Sequence, residues 1–200
     1  MNDSQKAQIS NGFDLILKAI VGDNYKEDPN FAETPERVAK SFSELLHGYE
    51  TAKDTSVFFE KAFPAEGYNS MIFCSNIEVY SMCPHHFLPV EYTISVGYIP
   101  SQSGKVIGAS KIPRLVEALA ARAVIQEQLT NEIAEAIETH LQPVGLAVLC
   151  SGSHGCMTTR GIKQRNSTFE TSEMRGSFRD NDSTRMEFFE LLKNAKGKNR

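Results

Sequence analysis

The sequence predicts an α+β protein in which two helices pack on one face of an antiparallel sheet, behind an N-terminal helical region. Three observations lead there. Val90, Tyr92, Ile94, Val96 and Tyr98 alternate with Glu91, Thr93, Ser95 and Gly97, the period of a half-buried strand. Ile125, Leu129, Ile133, Ile137 and Leu141 step by four, as on the apolar face of a helix. The segments then run strand, strand, helix, helix, strand, strand, an order that suits helices on one side of an antiparallel sheet.

Residues 1–50 read as helical. Within them Thr34 suits an N-cap, Pro35 fits the first helical position, and Val38, Phe42, Leu45, Leu46 and Tyr49 recur at helical spacing. Residues 51–70 lack firm periodicity and read as a loop, which divides the chain into a helical region, 1–65, and a second domain, 66–200. Ile72, Cys74, Asn76 and Val79 to Met82 form the first strand, and the Val90 to Tyr98 alternation the second. Ser110 caps a helix running to about Arg122, and the ladder from Ile125 follows until Pro143 stops it. Val144 to Cys150 is apolar and β-prone; after a turn at Gly152 and Gly155, Met157 to Ile162 is expected to return as a strand. A helix from Thr184 to about Lys193 ends the series. The open sheet edges and uncovered face call for a partner subunit.

In 200 residues, 40% hydrophobic and 23% charged, there is enough apolar material for one or two cores, which excludes a disordered chain. The balance of 21 Lys+Arg against 25 Asp+Glu, net −4, excludes the bulk basicity of a nucleic-acid binder, so any bound anion needs a local cluster. The start, MNDSQKAQISNGF, lacks the pattern of a signal peptide, and no segment approaches the roughly 20 apolar residues of a membrane span. A cytoplasmic location is expected, where the four cysteines stay free or bind metal.

Cys83-Pro84-His85-His86 sets a thiol and an imidazole at C-x-x-H spacing after a strand, and His154-Gly155-Cys156 returns a second thiol beside another histidine. Cys83, His86 and Cys156 suit zinc, and three protein ligands leave the fourth position of a catalytic site open. His85 and His154 are then spare for proton transfer. A Cys83–Cys156 disulfide is the redox alternative, and Cys74 and Cys150, inside apolar runs, read as small core residues. Ser110, Lys111 and Arg114 cluster at a helix start, which suits phosphate; Lys40 and Arg160 join them if the fold brings them near, and otherwise are solvated cations. Gln126 and Glu127 open the long helix, where a carboxylate is ordinarily a favourable partner of the helix dipole.

Six ordered motifs together resemble the GTP cyclohydrolase I family, from about residue 12 to the end of the chain. They are Glu33 to Lys40 (ETPERVAK), Cys83 to His86 (CPHH), Gly97 to Pro100 (GYIP), Val106 to Arg114 (VIGASKIPR), Gln126 to Thr130 (QEQLT) and His154 to Ile162 (HGCMTTRGI). The resemblance implies hydrolytic opening of GTP at C8 to formate and 7,8-dihydroneopterin triphosphate. It implies zinc on Cys83, His86 and Cys156 and proton transfer by His85 and His154. It assigns the triphosphate to Lys40, Lys111, Arg114 and Arg160, supplied by more than one subunit, the ribose and phosphates to Ser110, and the guanine to Glu127 with Gln126. It further implies the tunnelling fold, in which subunits complete a β-barrel and stack as a toroidal homodecamer. Pro84 departs from the family, which most often has Glu there; proline removes a backbone N–H and biases Cys83 toward an extended conformation. Two other functions fit the motifs: a cyclohydrolase that stops at a formamidopyrimidine, and a non-catalytic nucleotide- or pterin-binding homologue with zinc as a structural clip.

Overall fold

The computed structural model describes residues 1–102 and 104–197, with side chains placed to residue 195. The N-terminal part holds helices α1 (Asp3–Ile20) and α2 (Thr34–Leu45) and a short helical turn α3 (Gly48–Thr51). Strand β1 (Ala62–Pro64) leads to β2 (Ile72–Met82), β3 (Pro89–Ile99) and β4 (Lys105–Ile107). Helices α4 (Lys111–Ala120) and α5 (Gln126–Leu141) follow, then β5 (Gly145–His154), a turn of helix α6 (Gly155–Thr158), β6 (Phe169–Gly176), α7 (Ser177–Asp180) and α8 (Asp182–Gly197). The expected order of two strands, two helices and two strands is therefore present, as an antiparallel sheet in the order β2-β3-β5-β6.

The alternation in β3 holds over its first half, where Val90, Tyr92 and Ile94 are buried while Glu91 and Thr93 are exposed; beyond it Ser95 and Gly97, expected to face outward, are buried too, Gly97 against Phe188 of α8. The buried side chains meet Leu115 and Val116 of α4, Leu129, Ile133 and Ile137 of α5, and Leu146, Val148 and Cys150 of β5. That core sits between the sheet and the two helices. A second cluster, in which Phe178 and Phe188 pack with Met71 and Ala147, lies under α7 and α8. The expected C-terminal helix is present, and it packs Phe188 against Gly97 of β3, adding cover that its sequence did not announce.

Four local readings need correction. Thr34 is the first residue of α2 rather than its cap; Glu33 stands at the cap without a side-chain hydrogen bond, and Pro35 sits in the first turn. Part of the supposed loop forms β1, which pairs with β4 in register Ala62↔Ile107. Gly152 lies inside β5, opposite Tyr92 of β3, and is not a turn residue. The returning strand is β6, not Met157 to Ile162: the chain first makes a helical turn, in which the Thr159 amide and hydroxyl both donate to the Gly155 carbonyl. Strand β6 alternates weakly because it is an edge strand with most side chains only half-buried or exposed. In β2 a bulge between Cys74 and Ile77 includes Asn76 at φ 55°, a conformation that asparagine tolerates.

Candidate active site

The loop after β2 is closed by two backbone hydrogen bonds, Cys83 N–H to the Leu88 carbonyl at 2.9 Å and Phe87 N–H to the Cys83 carbonyl at 2.8 Å. The end of β2 is tied to the α4–α5 connection, since Met82 donates to the Arg122 carbonyl and Val124 donates to that of Met82. Cys83 is thereby held close to the start of α5. From the other side, β5 delivers Cys156 through Gly155, where an added Cβ would lie 2.8 Å from the Pro89 carbonyl oxygen and 3.3 Å from Leu88 Cβ. Only glycine allows β5 to approach the loop this closely.

As a result Cys83, His86 and Cys156 offer ligand atoms within 4.8 Å of one another. Two thiols and an imidazole can hold a borderline-soft divalent metal, with a further coordination position free of protein ligands. Burial, followed by the neighbouring Cys83 thiol, raises the Cys156 pKa. A bound cation reverses that effect by stabilising both thiolates. Arg160 donates from Nη1 to His86 Nε2 at 2.9 Å, setting a guanidinium at the rim of the cluster. His85, exposed on the same loop, has Nδ1 3.8 Å from Cys83 Sγ.

His154 is the last residue of β5 and is more enclosed. Its ring stands edge-on to Tyr92, with centroids 5.8 Å apart, and to Phe169, at 5.9 Å. Burial lowers its pKa below the ordinary imidazole value, an effect that the Glu127 carboxylate partly opposes. Glu127 itself is exposed at the first turn of α5. Gln126, beside it, is turned the other way: it is 1% exposed, and its amide is bound by His154, Cys150, Phe169 and Thr171. That side chain meets protein groups rather than an open face.

The expected phosphate residues lie on other elements. Ser110 and Lys111 begin α4, with Ser110 exposed, its side chain making no cap hydrogen bond, and Lys111 half-buried; Arg114 is exposed one turn later. Lys40 is exposed on α2, in a groove shared with Lys6, Glu36 and Ser43. Within the single chain only Arg160 of these cations touches the thiol–imidazole cluster.

The family model described as GTP cyclohydrolase I matches residues 9–193. The chain belongs to the GTP cyclohydrolase I family. Among its relatives, GTP cyclohydrolase 1 of Chlorobaculum tepidum is 42% identical over 179 residues, covering 90% of this chain and 77% of that protein. GTP cyclohydrolase 1 of Campylobacter concisus is 45% identical over 169 residues, covering 83% and 87%. That of Methylococcus capsulatus is 42% identical over 180 residues, covering 90% and 94%. The apo crystal structure of the archaeosine synthase QueF-Like is similar at TM-score 0.43 and 19% identity over 54% of this chain and 94% of its own, a likeness too slight to build on.

Beyond the GTP cyclohydrolase I motifs, the structure brings Thr171, Tyr92 and Gly152 to the site's surroundings, and it gives Thr130, the last residue of the QEQLT motif, a place there. Thr130 carried a faint signal, a polar residue one turn from Gln126 on the buried face of α5. Thr171 carries none, because the edge strand that bears it has too little burial to show a period.

Proposed function

We propose that this chain is a zinc-dependent GTP cyclohydrolase I, which opens the imidazole ring of GTP hydrolytically at C8, releases formate and closes the product to 7,8-dihydroneopterin triphosphate. One observation carries the reading: within a chain of this family, two thiols and an imidazole converge within 4.8 Å, with a second, enclosed histidine two residues from one of the thiols.

Cys83, His86 and Cys156 hold the zinc; their two sulfurs and one nitrogen fit that ion. When bound, it supplies Lewis-acid chemistry that brings the ionisation of water from 15.7 down to about 7. His154, protonated, gives a proton to N7 of the purine, which makes C8 electrophilic, and recovers it later; imidazole chemistry, with an ordinary pKa of about 6.5, is suited to both directions. His85 serves the later proton transfers that accompany ribose opening and ring closure. Glu127 accepts hydrogen bonds from the N–H groups of the guanine edge, while Lys40, Lys111, Arg114 and Arg160 neutralise the triphosphate and Ser110 lies beside the ribose. Holding the substrate at both ends keeps it oriented through several steps.

The tunnelling fold and a toroidal homodecamer, with cations drawn from neighbouring subunits, belong to the same reading. Support comes from the two open edges of the sheet, β2 and β6, and from apolar side chains left in solvent, among them Tyr80 at 60% and Ile162 at 65% exposure. Residues 66–200 then form the catalytic unit and 1–65 the helical region that precedes it. A cytoplasmic setting suits free thiols at a zinc site, and no helix among the described residues is long and apolar enough to cross a membrane.

The test is incubation of the zinc-loaded protein with GTP, following the ultraviolet change of pterin formation and formate separately. Both products are expected. Formate without pterin would select an enzyme that stops at the formamidopyrimidine, and neither product would select a binding protein.

A further inference from the structure

His154 touches one side chain whose orientation leaves no freedom. The Nε2 of Gln126 lies 2.9 Å from the Cys150 carbonyl oxygen, 2.8 Å from that of Phe169 and 3.2 Å from Thr171 Oγ1. Carbonyl oxygens only accept, so the amide N–H bonds must face β5 and β6; turning the amide over would set its oxygen against two other carbonyls. Gln126 Oε1 therefore faces His154, 2.8 Å from Nε2. An amide oxygen has no proton to give. The ring nitrogen must carry it.

The hydroxyls behind the amide agree. Thr130 Oγ1 donates to the Gln126 carbonyl oxygen at 2.8 Å, which commits its proton. At the 2.6 Å contact between Thr130 and Thr171, the donor is then Thr171. Lone pairs of Thr171, not its proton, are left facing Gln126 Nε2, where they can only accept. Every polar atom of the chain from Thr171 to His154 has one consistent proton order.

We propose that Gln126, locked in place by Thr130 and Thr171, is the positioning residue that fixes His154 as its Nε2–H tautomer, so that Nδ1 is the atom that takes up a proton from solvent, gives it to N7 of the purine and later recovers it. A ring that gains a proton at Nδ1 keeps the Nε2–H bond to Gln126 in both charge states, so its position does not change during the transfer. The catalytic half of this inference rests on the function proposed above; the tautomer does not. It also gives Gln126 a different task from reading the guanine, since its amide is already fully engaged.

The experiment uses the full chain labelled with 15N-histidine, examined by solid-state NMR about two pH units above the ordinary imidazole pKa of about 6.5. A His154→Asn variant identifies the His154 signals by their loss. A protonated Nε2 and an unprotonated Nδ1 are expected; an Nδ1–H ring overturns the proposal. In Gln126→Leu the tautomeric preference is expected to vanish and kcat to fall about 10- to 100-fold, with zinc content unchanged and KM within about threefold. A raised KM at unchanged kcat would make Gln126 a substrate contact and overturn the assignment. Should Gln126→Leu fail to fold, Thr171→Val is expected to lower kcat and Thr171→Ser to restore it, and equal turnover in both would count against the lock. Wild-type protein that makes no pterin from GTP would remove the catalytic role, whatever the spectrum reads.

Discussion

Replacing Gly152 by alanine tests the packing that brings His154, Gln126 and Tyr92 together. A Cβ built there would stand 2.3 Å from Gln126 Oε1, 2.8 Å from Tyr92 Cε1 and 3.0 Å from His154 Nε2. The backbone is not in the left-handed region, so alanine meets no conformational penalty, and by restricting the unfolded chain it gains about 0.4–1 kcal/mol. Against this stand overpacking, about 1–3 kcal/mol, and strain on a buried hydrogen bond whose loss costs about 1–3 kcal/mol. The steric side is larger, so net destabilisation of about 1–3 kcal/mol is expected. For a chain of 200 residues that corresponds to a fall in Tm of roughly 2–12 °C, measured by thermal scans at matched subunit concentration. Displacing the imidazole by a fraction of an ångström to an ångström also lowers GTP turnover, by about 10- to 100-fold. A Gly152→Ala protein with unchanged Tm and unchanged turnover would refute the close packing of these three side chains.

Cys156→Ser is expected to lose both zinc and turnover while His154→Ala keeps zinc and loses turnover; metal analysis beside the activity assay separates them, and stoichiometric zinc in Cys156→Ser would count against the ligand set. Tyr92 is 2% exposed and its hydroxyl has no hydrogen-bond partner among the described residues, so Tyr92→Phe is expected to stabilise the protein by about 1 kcal/mol, read from urea midpoints; a clear loss of stability would reveal a partner. Burial holds the His154 pKa below its unfolded value of 6.5, so as pH falls the unfolded chain binds the proton first. In metal-free protein the contribution of the neutral ring is complete above about pH 6.5 and is lost progressively below it. Urea midpoints at several pH values in that range are expected to fall less steeply in His154→Gln than in wild type, and identical slopes would contradict this.

The parts of this molecule that were legible in the sequence are those where one physical demand dominates. Strand β3 has one face against the helices and, over its first half, the other in solvent, and its alternation states this directly; its second half is covered on both faces, with Gly97 against Phe188, which alternation does not reveal, while α5 buries Leu129, Ile133, Ile137 and Leu141 as its ladder requires and leaves Ile125 exposed at the cap. The thiols and imidazoles of the two loops were legible because few residue types can hold a soft metal. Strand β6 is hard to read because an edge strand with weak burial carries little period, while Met157 to Ile162, with β-prone threonines between two apolar ends, imitates one. The surroundings of Gln126 are hidden for a related reason. Its position beside Glu127 suggests a shared ligand, yet successive residues on a helix point about 100° apart, and this one faces the sheet. Gly152 reads as a turn former but lies inside β5, where close approach of neighbouring groups requires it, while Gly155 does open a turn and also allows close approach.

Zinc dependence of the coupled reaction tests the central claim most directly. Protein stripped with a chelator is titrated with zinc, and bound metal, formate and pterin are measured on the same samples. The cluster of Cys83, His86 and Cys156 predicts that both products rise together, in equal amounts, up to about one zinc per subunit and then stop. Full turnover of the stripped protein, or product formation that does not follow zinc occupancy, would contradict it.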